Sequence, residues 1–182
     1  DGGLGIDTLS ETGDADFVLT NTQLTGFGTD TLIGLEAARL TGGDYNNRFD
    51  ARAFTGPTTL IGNNGNDTLI GGTANDVLDG GNDNDGLAGM AGNDTITGGS
   101  GSDTILGGLG NDSLTGGLDD DTVWGQAGAD KVIGDLTTGG STSFDKMTAG
   151  IGGTGGKKDS GDSYVGLTAE IDETFSLTPD WL

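Results

Sequence analysis

Residues 98–115 read GGSGSDTIL GGLGNDSLT, the same nine-residue phrase written twice. The phrase continues on both sides without an insertion. Residues 62–133 divide into eight units: GNNGNDTLI, GGTANDVLD, GGNDNDGLA, GMAGNDTIT, GGSGSDTIL, GGLGNDSLT, GGLDDDTVW and GQAGADKVI. The sixth position is Asp in every unit: Asp67, Asp76, Asp85, Asp94, Asp103, Asp112, Asp121 and Asp130. The eighth is aliphatic in every unit: Leu69, Leu78, Leu87, Ile96, Ile105, Leu114, Val123 and Val132. Composition alone would suggest a disordered acidic linker. A linker would not hold two positions in phase over such a length.

The rest of the composition narrows the chemistry. The 182 residues include 39 glycines and only 5% aromatics, a poor recipe for a close-packed globule. Acidic residues outnumber basic ones 29 to 7, for a formal charge of −22. Nucleic acids and anionic membrane surfaces need basic patches and are not expected partners; cations are. There is no histidine and no cysteine. That removes a Ser/His/Asp triad, a thiol nucleophile, disulfides and the usual zinc sites. No apolar run is long enough to span a membrane, so no membrane insertion is expected. The chain begins DGGLG without a methionine and reads as a piece of a longer polypeptide, with any targeting signal expected outside it.

The pattern G-G-x-G-x-D-x-U-x, with U a large aliphatic residue, resembles the RTX (repeat-in-toxin, hemolysin-type) calcium-binding nonapeptide. Weaker copies stand at GGLGIDTLS (2–10), TGFGTDTLI (25–33) and GGDYNNRFD (42–50). In the last, Asn47 replaces the expected aspartate and Tyr45 a glycine. The resemblance implies an all-β fold, a right-handed parallel β-roll with calcium in its turns. It also implies a secreted or cell-surface bacterial protein, exported unfolded by type I machinery and folding outside the cell, where calcium is plentiful.

Physical chemistry gives the same picture from the residues. Six positions form a glycine-rich turn. The last three form a short strand whose alternation sends position eight inward and positions seven and nine outward. Two units make one coil, because a strand is needed on each side to enclose the aliphatic residues. The coil then repeats every 18 residues. Asp67, Asp85, Asp103 and Asp121 stack along one edge, and Asp76, Asp94, Asp112 and Asp130 along the other. At the usual strand spacing of about 4.8 Å these carboxylates repel unless a cation lies between them.

Calcium suits that gap, taking 6–8 oxygens at roughly 2.3–2.6 Å and accepting backbone carbonyls; magnesium, which wants a tight octahedron, does not. The carbonyls are expected near Gly65, Gly72, Gly81, Gly92, Gly99, Gly101, Gly108, Gly110, Gly117 and Gly128. Four aspartates enclose three gaps, so two rows give six complete sites, and six ions would reduce the charge from −22 to about −10. Asp7, Asp30, Asn47, Asp145 and Asp162 are weaker candidates in the degraded copies. With one core side chain per nine residues, the repeats are expected to unfold without the ion.

Three regions are expected. Residues 1–61 hold imperfect coils, with a strand inserted over residues 11–24 and inward positions at Leu40, Phe49 and Leu60. Here too lie all three arginines, Arg39, Arg48 and Arg52, read as neutralising nearby carboxylates. Residues 62–133 are the regular array. Residues 134–182 hold two degraded coils, with Met147 and Tyr164 inward, and an apolar C-terminal segment read as a cap on the roll. The phrase IGGTGGKKD (151–159) resembles a phosphate-binding loop, but Ile151 and Lys158 occupy positions that need Gly and Ser or Thr. Trp124, at an outward position nine, is read as covered by residues 134–150, or else as a contact surface.

The leading functional reading is a calcium-dependent structural module. The alternative is an extracellular scaffold that self-associates or binds a surface partner through its faces or ends. No threonine row runs along position three, which reads Asn64, Thr73, Asn82, Ala91, Ser100, Leu109, Leu118 and Ala127, so an ice-binding face is not expected. Catalysis is not expected either, because the paired aspartates all occupy repeating ligand positions.

Overall fold

The computed structural model describes residues 3–133 and the backbone of two further strands, Lys146–Thr148 and Ser163–Val165. The described residues contain strands and no helix. The chain opens with β1 (Thr8–Thr12), β2 (Phe17–Thr20), β3 (Gln23–Thr25), β4 (Thr29–Thr31), β5 (Ala37–Thr41), β6 (Arg48–Ala53) and β7 (Thr58–Asn64). The regular units supply β8 (Thr68–Ile70), β9 (Val77–Asn82), β10 (Gly86–Ala91), β11 (Thr95–Ser100), β12 (Thr104–Leu109), β13 (Ser113–Leu118), β14 (Thr122–Ala127) and β15 (Lys131–Ile133). The last two strands are β16 (Lys146–Thr148) and β17 (Ser163–Val165).

From β4 onward successive strands alternate between two sheets, as a coil of two units requires. One sheet runs β1-β5-β7-β9-β11-β13-β15-β17 and the other β16-β14-β12-β10-β8-β6-β2-β3-β4. From β5 to β17 every pairing is parallel, so the architecture is a parallel β-roll. The register follows the 18-residue spacing. Leu69 lies beside Leu87, Leu87 beside Ile105 and Ile105 beside Val123. In the facing sheet Leu78, Ile96, Leu114 and Val132 align the same way. These side chains form one continuous core between the sheets, together with Phe17, Leu40, Phe49, Phe54 and Leu60.

The ladder continues past the regular array. Met147 lies in register with Val123, and Tyr164 with Val132, after connections longer than the nonapeptide spacing. The apolar segment read as a cap lies outside the described residues apart from the β17 backbone.

Two features depart from the sequence reading. Residues 11–24 hold the end of β1, then β2 and most of β3, rather than one inserted strand. β2 pairs in parallel with β6, after which β3 and β4 fold back antiparallel. The copy at residues 25–33 is therefore not a coil: Asp30 stands exposed in β4, the outer strand of that meander. The reason is local. Thr20 Oγ1 accepts from the N–H of Gln23 at 3.0 Å, closing a tight turn that reverses the chain. Leu24 and Leu32 are buried from this direction instead.

The second departure is on the outer face of the β8–β14 sheet. Position nine points away from the main core, yet Ile70, Ala88 and Leu106 are buried there to 3% exposure or less. They form a separate apolar cluster against which Trp124 packs. Most of the residue 134–150 stretch expected to cover Trp124 lies outside the described residues.

Candidate metal centre

Each unit's turn brings its sixth residue back over its first. Positive φ at positions two and four makes that tight reversal in seven of the eight regular units, for example at Gly99 and Gly101. All eight Asp side chains at position six end up buried, at 3% exposure or less. They form the two rows expected from the sequence.

One oxygen of each carboxylate serves the fold. The N–H of Asp67 donates to Oδ1 of Asp85 at 2.7 Å, that of Asp85 to Asp103 at 2.8 Å, and that of Asp103 to Asp121 at 2.9 Å. In the other row Asp76 donates to Asp94 at 2.8 Å, Asp94 to Asp112 at 2.8 Å and Asp112 to Asp130 at 2.9 Å. These bonds satisfy N–H groups that the turn would otherwise bury without a partner.

The other oxygen is left over. Oδ2 of Asp67, Asp85, Asp94, Asp103 and Asp112 is buried and accepts no hydrogen bond. Each faces the first glycine of its own unit and the carbonyl of the first glycine one coil ahead. A Cβ built on Gly80 would lie 2.6 Å from the Gly98 carbonyl oxygen and would collide with Asp85 Oδ2; on Gly107 it would lie 2.6 Å from the Gly125 carbonyl and collide with Asp112 Oδ2. The missing side chain leaves a space where two oxygens from successive coils converge. No three acidic groups converge on one point among the described residues, so any ion held there must draw on carbonyls as well as carboxylates.

The electrostatics of the ion-free rows are unfavourable. Burial pushes Asp85 up to about 8, helped by the charges of Asp103, Asp67 and Asp83 and opposed by the hydrogen bond from Asp67. Asp112 rises to about 7 through burial and the charges of Asp94 and Asp130, against the hydrogen bond from Asp94. Burial likewise lifts Asp67, Asp94 and Asp103 to about 6. A buried carboxylate with one bare oxygen calls for a cation. The donors at hand are hard oxygens only, the set that calcium takes.

Two positions differ. Asp76 keeps both oxygens engaged: Oδ1 accepts from the N–H and hydroxyl of Thr58 at 2.6 and 2.9 Å, and Oδ2 from the N–H of Gly72 at 2.7 Å. Its unit is the one without positive φ at positions two and four, so Gly72 is the exception among the glycines expected to present carbonyls. Asn47 sits at the head of the first row, buried to 4%, donating its N–H to Asp67 Oδ1 at 2.6 Å while its own Oδ1 accepts from Gly43 at 3.2 Å.

Of the other candidates, Asp7 lies outside the regular rows, with Oδ2 accepting from Gly3 at 2.7 Å. Asp30 is in the meander, and Asp145 and Asp162 lie outside the described residues. Arg48 and Arg52 both reach Asp50, at 3.0 and 2.6 Å. Burial would raise Asp50, but hydrogen bonds and charge from Arg52, with the charge of Arg48, hold it below the usual carboxylate range.

Sequence reasoning placed carbonyls at positions two and four of one unit and one and three of its stacked neighbour, but missed why position one must be glycine: a Cβ there would fill the space between the oxygens. The signal was available, since Gly62, Gly71, Gly80, Gly89, Gly98, Gly107, Gly116 and Gly125 are all glycine. It also missed a second ladder at position five. There Asn66 Oδ1 accepts from Asn84 at 3.0 Å, Asn84 from Ser102 at 2.7 Å, Asn75 from Asn93 at 2.8 Å, and Asn93 from Asn111 at 2.8 Å.

The model of the RTX calcium-binding nonapeptide repeat matches residues 52–87, 86–114 and 106–136. Neither the curated proteins nor the solved structures yield a match. The matched span carries the parallel coils, the buried carboxylate rows and the converging carbonyls. Residues 52–136 carry RTX calcium-binding nonapeptide repeats, and with the parallel coils they fit a calcium-binding repeat module.

Proposed function

We propose that calcium ions sit along both carboxylate rows, held between successive coils by Asp67, Asp85, Asp103 and Asp121 on one side and Asp76, Asp94, Asp112 and Asp130 on the other, with turn carbonyls completing each shell. The single observation that carries this reading is the set of buried, unsatisfied Oδ2 atoms aimed at position-one carbonyls one coil ahead. Three gaps per row allow up to six ions. Calcium supplies positive charge where the rows repel and closes the coordination of oxygens that no protein donor reaches. What this chain's residues do is hold those oxygens at a fixed rung spacing.

The module serves a secreted or surface-attached bacterial protein. It crosses the membrane unfolded where calcium is scarce and winds up outside, where calcium meets the weaker affinities, about 10⁻⁴–10⁻³ M, usual for extracellular modules. The family resemblance supports this; the organisation into residues 1–61, 62–133 and 134–182 goes with it. Titrating calcium into chelator-treated protein while following circular dichroism tests it. β-structure must rise with calcium and not with magnesium. A regular array fully formed in excess chelator would overturn it.

A further inference from the structure

The two ends of the roll are held by different chemistry. In the regular array each coil contributes two aliphatic core residues, and Asp67, Asp85, Asp94, Asp103 and Asp112 each keep a buried oxygen without a hydrogen bond. Before Asp67 the balance reverses. Among the described residues the three largest fully buried side chains, Phe17, Phe49 and Phe54, all lie there, joined by Leu19, Leu24, Leu40 and Leu60. The rings of Phe17 and Phe49 pack at a tilt of 44° with centroids 5.4 Å apart, and Phe27 meets Phe17 edge-on at 5.6 Å.

The acidic groups of this part are met by protein donors. Asp14 Oδ1 accepts from the N–H of Asp44 at 2.8 Å, and Asp16 Oδ1 from that of Arg48 at 2.8 Å. Glu36 accepts from Asp7 at 2.8 Å, and Asp50 is clamped by two arginines. Both carboxylate rows end here in neutral residues, Asn47 and Thr58, buried to 4% and 3%. Asp76, the first carboxylate of its row, is closed by Gly72 and Thr58.

We infer that metal dependence is divided along the roll: the N-terminal coils through β7, onto which Thr58 clasps Asp76, hold together without an ion and template the calcium-bound coils that follow. The ordering of one coil on a folded neighbour needs no new nucleus, because each rung presents the same pair of hydrogen-bond ladders to the next. The Asp76 carboxylate acts as a clasp made of backbone and hydroxyl donors. The first ion of its row then lies between Asp94 and Asp112, leaving five ions in place of six. This rests on the calcium reading above for the later coils only.

Hydrogen exchange on the full chain separates the two. In excess chelator, amides of β2, β5, β6 and β7 are expected to exchange at least 100-fold more slowly than an unstructured chain, while those of β10 to β14 exchange at the unstructured rate and become protected only with calcium. Exchange of β2 to β7 at the unstructured rate in chelator overturns the division. Protection of β10 to β14 in chelator would instead overturn the calcium reading. Native mass spectrometry checks the clasp: wild type and Asp76→Asn are expected to carry five calcium ions, and Asp112→Asn fewer. A sixth ion in wild type, or loss of an ion in Asp76→Asn, would refute the clasp.

Discussion

Asp67 and Asp85 are joined across one coil by a 2.7 Å hydrogen bond from the backbone of the first to the carboxylate of the second, and both carboxylates keep a buried oxygen that no described residue satisfies. The same side chain thus spaces the coils with one atom and presents a ligand with the other. Those two jobs come apart by mutation.

Asp103→Asn keeps an acceptor for the N–H of Asp85 but removes the charge, whereas Asp103→Ala removes both. In saturating calcium, the Ala variant should be less stable than the Asn variant by about 1–3 kcal/mol, the cost of leaving a buried N–H unpaired. Both should bind fewer ions than wild type. Chemical denaturation in calcium, alongside binding stoichiometry, measures the split; equal stabilities would show that the hydrogen bond contributes nothing.

Gly98→Ala should block binding by filling space rather than by straining the backbone. Its Cβ would lie 2.5 Å from the Gly116 carbonyl and would meet Asp103 Oδ2. Loss of ion affinity at that rung is expected by calorimetry. Gly28, with nothing within 4 Å of a Cβ, is the control, and Gly28→Ala should change stability by less than about 1 kcal/mol.

Acid should substitute in part for the ion and compete with it. The folded values of Asp67, Asp94 and Asp103 (about 6), Asp112 (about 7) and Asp85 (about 8) lie above the roughly 3.9 of an unfolded aspartate. The ion-free fold therefore binds protons more tightly than the unfolded chain. That stabilisation is complete below pH about 4 and disappears as pH rises through about 6 to 8. Chelated protein should gain β-structure between pH 8 and pH 5. The calcium concentration at half-folding should rise as pH falls from 8 to 6, since ligation needs the deprotonated form. Circular dichroism at each pH reads both trends; a calcium midpoint that does not move with pH would contradict the assignment of these groups as ligands.

Asn84→Ala should weaken the coil stack without touching the ions. It removes the acceptor for Ser102, at 2.7 Å, on an exposed edge. A loss of about 0.5–1.5 kcal/mol is expected in denaturation, with unchanged calcium stoichiometry.

The regular half of the fold could be read from the sequence because its period is unbroken. One aliphatic and one Asp at fixed positions determine inward face, coil length and both rows, and the register from Leu69 to Val123 follows. The N-terminal departures were hidden for a physical reason. Residues 25–33 match the repeat pattern, but the turn closed by Thr20 reverses the chain before that pattern can join a parallel rung. Asp76 carried a signal that went unread: its unit has Ala74 where the pattern has Gly, a residue that resists the positive φ of the other seven turns, and this turn closes on its own carboxylate. The position-five asparagines were visible as letters, but their role depends on the 18-residue register that brings each amide over the next N–H.

The two ladders point in opposite directions along the roll axis: aspartates accept from the preceding coil, asparagines from the following one. Every coil accordingly has a top and a bottom of fixed, complementary kind, as bricks with studs and sockets do. Such a stack grows or shrinks cleanly by whole eighteen-residue courses. Duplicating a single nonapeptide would instead carry everything downstream to the opposite sheet, moving Trp124 off the face it shares with Leu106 and obliging the array to lengthen in pairs.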